Sequence, residues 1–107
     1  MAGASRRKGA GGERELAAAY REAGFDCART PNSGGLRWKG DVTGVPGVHV
    51  EAKRSERLRI WQAIDQVLSE AEPTDLPAVH FRRNRSDWWV AIPLEDFLEL
   101  LKLRGAG

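Results

Sequence analysis

"GDVTGVPGVHVEAK", residues 40–53, decides how the rest of this chain is read. It reads as one strand over roughly 41–45, a turn at Pro46-Gly47, and a second strand over 48–53. Side chains alternate along a strand, so Val48, Val50 and Ala52 share a face that suits a core, while His49, Glu51 and Lys53 share the other. Charge in the middle strands of a small domain is costly unless something compensates it. An antiparallel strand beginning at Asp41 brings its carboxylate near Glu51 if the turn sets the register accordingly. The result is a compact group of two carboxylates and an ammonium.

Such a group has a chemical use. Oxygen ligands on adjacent strands suit a hard divalent cation, and the backbone carbonyl of Ala52 offers a third ligand beside Asp41 and Glu51. Mg2+ keeps several waters, one of which can serve as a nucleophile, and Lys53 can orient it or meet the charge developing on a phosphoryl oxygen. Magnitudes favour a metal over a lone side chain. Proton transfer by one group contributes about 10²–10⁴-fold, whereas phosphate ester hydrolysis needs roughly 10⁶–10¹⁷-fold or more. The residues alone leave a plainer reading open: a charged pair on an edge strand also discourages aggregation.

Working outward, 107 residues make one domain, and 41% hydrophobic against 30% charged residues allow a packed core. A chain this short buries a modest share of its surface, so a partner subunit is a natural source of stability. No apolar run is long enough to span a bilayer, and "MAGASRRKGAGG" lacks the apolar segment of a secretory signal. Cys27 is the single cysteine, which excludes an internal disulfide and fits a reducing, intracellular setting; it reads as a small buried hydrophobe. The net charge of +2 is weakly basic. Its distribution is more telling, with clusters at Arg6-Arg7-Lys8, Arg37 and Lys39, Lys53 to Arg59, and Arg82 to Arg85, against acidic Glu95, Asp96 and Glu99 near the C-terminus. Segregated basic clusters can present a positive face to a polyanion.

The pattern predicts the order αβββαββα: a small mixed sheet flanked by helices, with residues 1–11 as a flexible basic arm and 12–107 as one domain. Leu16, Tyr20 and Ala23 make the first helical stripe, stopped by Gly24. "FDCART" alternates as a strand, and "PNSGGLRWKG" is a loop. Ile60, Ile64, Val67, Leu68 and Ala71 mark the clearest helix, with Trp61 packing at its border. "PAVHFRR" and "DWWVAIP" form a hairpin, and Leu94, Phe97, Leu98 and Leu101 line a last helix after Pro93.

Four pieces in this order carry a family resemblance: "RKGAGGERELAAAYREAGF" (7–25), "ARTPNSG" (28–34), "GD" (40–41) and "VEAK" (50–53). The chain resembles the PD-(D/E)xK nuclease superfamily, with its restriction-endonuclease-like core. More closely it resembles the Holliday junction resolvases of the archaeal type, which also occur in phages. The resemblance implies a homodimeric, Mg2+-dependent endodeoxyribonuclease, with Mn2+ as substitute and no small-molecule cofactor. Its substrate is a four-way DNA junction, nicked once by each subunit. The resemblance also implies roles. Glu13 matches the catalytic helix glutamate, Asp41 and Glu51 the metal carboxylates, and Lys53 the catalytic lysine. Arg14 and Arg29 match basic positions near DNA, and Ser33 a loop serine near the scissile phosphate. Lys8, Arg37, Lys39 and Arg54 complete the expected DNA contacts. Gly40 departs from the family's proline, and Gln62, a candidate for the helix glutamine of some relatives, falls opposite the apolar stripe.

Other residues carry two readings each. His49 shares the Glu51 face, as a contact to the site or as a partly buried polar residue. His80 reads as structural. Trp38 either stacks on an unpaired base or anchors its loop. Trp88 and Trp89 point to opposite faces, so one enters the core and the other needs a cover from the last helix or a second subunit. Another repair or processing nuclease of the superfamily, or a non-catalytic nucleic-acid-binding module on the same fold, remains an alternative to junction resolution.

Overall fold

The computed structural model describes residues 2–29 and 41–105, with side chains for 11–28 and 41–105. Helix α1 (Ala2–Glu22) buries Leu16 and Ala17 and half-buries Tyr20. It ends in a Schellman motif. The Phe25 N–H donates to Tyr20 O at 3.0 Å and the Gly24 N–H to Arg21 O at 3.0 Å, with Gly24 at φ 105°. The accompanying apolar contact is the edge-to-face pair Tyr20–Phe25, 5.8 Å between ring centroids. The helical backbone continues back to Ala2, through the stretch read above as an arm. Ala, Arg and Lys favour helix, and extending an existing helix fixes one residue per bond gained.

The strands β1 (Ala28–Arg29), β2 (Val42–Thr43), β3 (Val48–Arg54), β4 (Leu76–Arg82) and β5 (Trp89–Ala91) form one sheet in the order β1-β2-β3-β4-β5. β1, β2 and β3 are successively antiparallel, β3 and β4 are parallel from Val48↔Leu76 to Arg54↔Arg82, and β5 returns antiparallel to β4. A parallel pair needs a crossover, supplied by α2 (Ile60–Glu70). The β2–β3 turn depends on Gly44. Its φ is 100°, and a Cβ there would lie 2.2 Å from the Asp26 carbonyl oxygen, so no other residue fits.

β3 runs through the middle of the sheet and is covered on both faces. On one, Val42 and Val50 pack with Leu16, Ala17 and Cys27 under α1; on the other, Val79 of β4 packs with Ala63 and Val67 of α2. The charged strand is therefore not an edge strand, and Glu51 is 2% exposed. α2 turns most of its apolar stripe inward, with Ile60 and Ile64 packed against the Ala63, Val67 and Val79 cluster. Ala63 and Val67 are buried, whereas Leu68 is exposed and Trp61, expected to pack, is 74% exposed. One flank of α2 is polar. Gln66 of α2 meets Lys53 of β3, so this helix offers β3 a polar flank as well as an apolar one.

Of the adjacent tryptophans, Trp88 packs on the α1 cluster and Trp89 stays 65% exposed. Helix α3 (Leu94–Leu103) follows Pro93 and has no buried residue; Leu94, Phe97, Leu98, Leu100 and Leu103 are all exposed. It does not cover Trp89. No helix among the described residues is long and apolar enough to cross a membrane.

Candidate active site

Asp41 precedes β2 and is fastened to β3 at two points. Its N–H donates to Val50 O at 2.7 Å, and its Oδ2 accepts the Ala52 N–H at 2.7 Å. The N–H and C=O of one strand residue point to the same side, so the Ala52 carbonyl also faces the β2 edge. The Val42↔Val50 register sets Asp41 beside Glu51. Alternation puts Val42 and Val50 under α1, and Asp41 and Glu51 therefore on the α2 side.

On that side α2 adds its own groups. Lys53 Nζ donates to Gln66 Oε1 at 2.9 Å, and Gln66 Nε2 donates to Glu70 Oε1 at 3.3 Å. His49 Nε2, from a buried imidazole, lies 3.0 Å from Glu51 Oε1 and 3.7 Å from Glu70 Oε2. Burial, a hydrogen bond with Glu70, the charges of Asp41 and Glu70, and a hydrogen bond with Asp41 push the Glu51 carboxyl up to about 9. Glu70 moves the opposite way, lowered first by its hydrogen bond with Glu51. Three carboxyls thus crowd one spot, and one stays protonated at neutral pH because water is excluded and its neighbours are negative. A divalent cation answers that crowding directly, and the oxygen donors of Asp41, Glu51 and Ala52 suit a hard one.

Glu13 lies half-buried on α1, across the sheet from α2, whereas the groups around Glu51 come from the residues flanking β2 and from β3 and α2. The next glutamate on that helix, Glu15, meets three side-chain donors. It accepts from Arg82 Nη1, from Arg54 Nη1 at 3.3 Å and from Trp88 Nε1 at 3.1 Å. Arg54, expected at DNA, is thereby engaged within the chain, also donating to Asn84 Oδ1 at 3.5 Å. Arg14 is exposed on α1. Ser33, Arg37, Trp38 and Lys39, and the side chains of Lys8 and Arg29, lie outside the described residues.

On the α1 side, the Tyr20 hydroxyl donates to His80 Nε2, and His80 Nδ1 donates to Ala78 O at 3.2 Å. Burial holds this imidazole below its usual range, so it is a neutral, satisfied core group. Sequence reading misses Gln66 and Glu70. The signal is present: Gln62, Gln66 and Glu70 recur every four residues and so make one polar stripe on α2, yet only the exposed first member draws notice from the sequence.

A family model described as "Phage putative PDDEXK endonuclease" matches residues 4–104. No curated protein and no solved structure matches the chain.

Proposed function

Because the chain belongs to the phage PDDEXK endonuclease family, whose model spans nearly all of it, we propose that it is a Mg2+-dependent endodeoxyribonuclease that resolves four-way DNA junctions inside the cell as a homodimer. The observation that carries the hydrolytic part is the convergence of Asp41 and Glu51 beside Lys53, with the Asp41 carboxylate fastened to the Ala52 amide.

Asp41, Glu51 and the Ala52 carbonyl would hold the cation, with Mn2+ able to substitute. When bound, the cation supplies Lewis acidity toward a phosphoryl oxygen and lowers the pKa of water. The chain's own groups do the rest. A bound dication would favour the ionised form of the Glu51 carboxyl. Lys53, steered by Gln66, presents its Nζ protons to the attacking water or to the oxygen on which charge develops. Lys8, Arg14, Arg29, Ser33, Arg37, Lys39 and Arg54 contact the DNA backbone, which fixes position and carries no base sequence directly. Of these, Arg54 must exchange Glu15 for a phosphate.

Dimer formation is supported by α3 and Trp89, which leave apolar surface uncovered. A two-fold dimer fits the approximate two-fold symmetry of a junction and sets two sites for paired nicks. The test is a synthetic four-way junction, a linear duplex and a flap, each incubated with Mg2+ or with EDTA. Symmetrical, ligatable nicks on the junction alone are expected. Equal cutting of the linear duplex would remove the junction and leave a general nuclease; no cutting of any substrate with Mg2+ or Mn2+ would overturn the enzyme.

A further inference from the structure

Hydrolysis at the Asp41 centre leaves two neighbouring groups unused, the buried imidazole of His49 and the carboxylate of Glu70. Donor atoms of His49, Glu51 and Glu70 all lie within 4.8 Å of one another. His49 Nε2 stands 3.0 Å from Glu51 Oε1 and 3.7 Å from Glu70 Oε2. A dication with bonds of roughly 2.0–2.2 Å holds adjacent donors about 3 Å apart, so small side-chain adjustments bring all three onto one ion. We infer that His49, Glu51 and Glu70 form a second cation site, sharing Glu51 with the Asp41 centre and taking a transition-metal dication such as Mn2+, Co2+ or Zn2+ in preference to Mg2+.

Three features support it. The first is the donor set, because Mg2+ demands oxygen and keeps its waters, whereas an imidazole nitrogen beside two carboxylates suits a first-row transition metal. Rigidity is the second. His49 and Glu51 are alternate residues of the central strand β3, both 2% exposed, so their separation is set by the backbone. The third is Glu70 itself. It is the last residue of α2, whose last turn has no basic residue. A carboxylate at a helix C-terminus faces the negative end of the macrodipole, and a bound cation reverses that penalty. The Glu70 side chain is 45% exposed, which gives an ion a path in and leaves coordination positions to water. The simpler arrangement, His49 hydrogen-bonded to Glu51 with no ion, is the outcome the experiment must separate.

The site rests on the reading of Glu51 as a metal ligand, and the test keeps the two apart. Mn2+ binding to the full chain is counted by equilibrium dialysis, and the bound ion is examined by pulsed electron paramagnetic resonance for coupling to an imidazole nitrogen. Two Mn2+ per chain are expected, one of them nitrogen-coupled. His49→Gln should lose the nitrogen signal and one equivalent. Glu70→Gln, a half-exposed change that spares the core, should weaken that same ion by roughly tenfold or more. Asp41→Asn should remove the other equivalent and leave the nitrogen-coupled ion in place. Absence of nitrogen coupling in the parent protein, or an affinity for the nitrogen-coupled Mn2+ that Glu70→Gln leaves unchanged, would overturn the second site. Retention of both ions in Asp41→Asn would overturn the first site and not this one.

Discussion

Lys53 Nζ and Gln66 Oε1 are 2.9 Å apart, joining the central strand to the crossover helix at the edge of the carboxylate group. A lysine ends a flexible stem, and an ammonium must be aimed to help a reaction. If Lys53 is the proposed catalytic lysine, Gln66, whose amide is itself held by Glu70, is the group placed to aim it. Gln66→Leu should leave metal binding and DNA affinity near those of the parent and lower the cleavage rate by up to about a hundredfold, the scale of misplacing a catalytic group. Single-turnover cleavage measured beside DNA binding checks it. A fall in affinity alone would make Gln66 a docking residue.

Asp41 and Lys53 should separate binding from chemistry. Asp41→Asn keeps an oxygen to accept the Ala52 N–H, so the local strand pairing survives while the charge that attracts a dication is lost. Lys53→Ala removes a group expected to contribute about 10²–10⁴-fold. Both variants should bind a four-way junction in a gel shift with Ca2+ and fail to cut it with Mg2+. Loss of binding together with cutting would mean that these residues hold the fold or dock the DNA.

Glu51 gives the metal-free protein an unusual pH dependence. Its carboxyl titrates near 9 when folded, against an ordinary value of 4.5. Between those values the folded state holds a proton that the unfolded chain has released, so unfolding free energy falls as pH rises. The contribution is full below about 4.5 and is lost progressively up to about 9. Metal-free protein should therefore melt at lower temperature at pH 8.5 than at pH 5.5, and Glu51→Gln should flatten this slope. Added Mg2+ should restore the melting temperature at the higher pH, with release of about one proton per ion near neutral pH, as expected where binding requires deprotonated ligands. Calorimetry in two buffers of different ionisation enthalpy measures that proton.

The strand–turn–strand within residues 41–53 was legible because its signals are local, alternation and turn glycines, although the first strand spans Val42–Thr43 and not 41–45, the turn beginning already at Gly44. What could not be read was what lay above it. Apolar periodicity pointed to Ile60, Ile64, Val67 and Leu68 as the inner face of α2; the first three do pack on the β4 cluster and Leu68 stays exposed, but the flank on which Gln66 reaches Lys53 was not read. Periodicity weighs apolar residues and cannot see a polar face that seeks polar partners. The same limit hid Glu70, and it made Glu15 look ordinary beside Glu13. Arg54, Arg82 and Trp88 arrive at Glu15 from 39, 67 and 73 residues away, a distance at which a sequence carries no pairing signal.

That glutamate should matter for stability. Glu15 joins α1 to β3 through Arg54, to β4 through Arg82 and to the residue before β5 through Trp88. Arg54 Nε is buried and unpartnered among the described residues, so that side chain depends on its two terminal nitrogens. All three charged groups keep some contact with water, which moderates the loss. Glu15→Ala should cost about 1–2 kcal/mol, and Glu15→Gln less, since an amide oxygen still accepts from Trp88. Urea unfolding of both variants gives the values, and a change within error for Glu15→Ala would make the cluster incidental.

The dimer proposal turns on α3. None of its residues is buried, yet Leu94, Phe97 and Leu98 recur on one side with Trp89 exposed nearby in sequence. A helix is stable in a small protein chiefly through the packing of its apolar face, so this face calls for a surface that a single chain does not provide. If a second copy supplies it, each leucine at the contact contributes about 1.5–3 kcal/mol per protomer. A two-fold interface counts every substitution twice, so Leu98→Lys should weaken dimer formation by about a hundredfold or more. Because Leu98 is 47% exposed, the same change should cost the isolated chain little. Sedimentation equilibrium at micromolar concentration should therefore show a dimer for the parent and a folded monomer for the variant. The variant should still cut DNA, but its two nicks in a junction should become uncoordinated, because each subunit then arrives alone. A parent chain that is strictly monomeric at that concentration would leave α3 without this partner and remove the basis for paired cleavage.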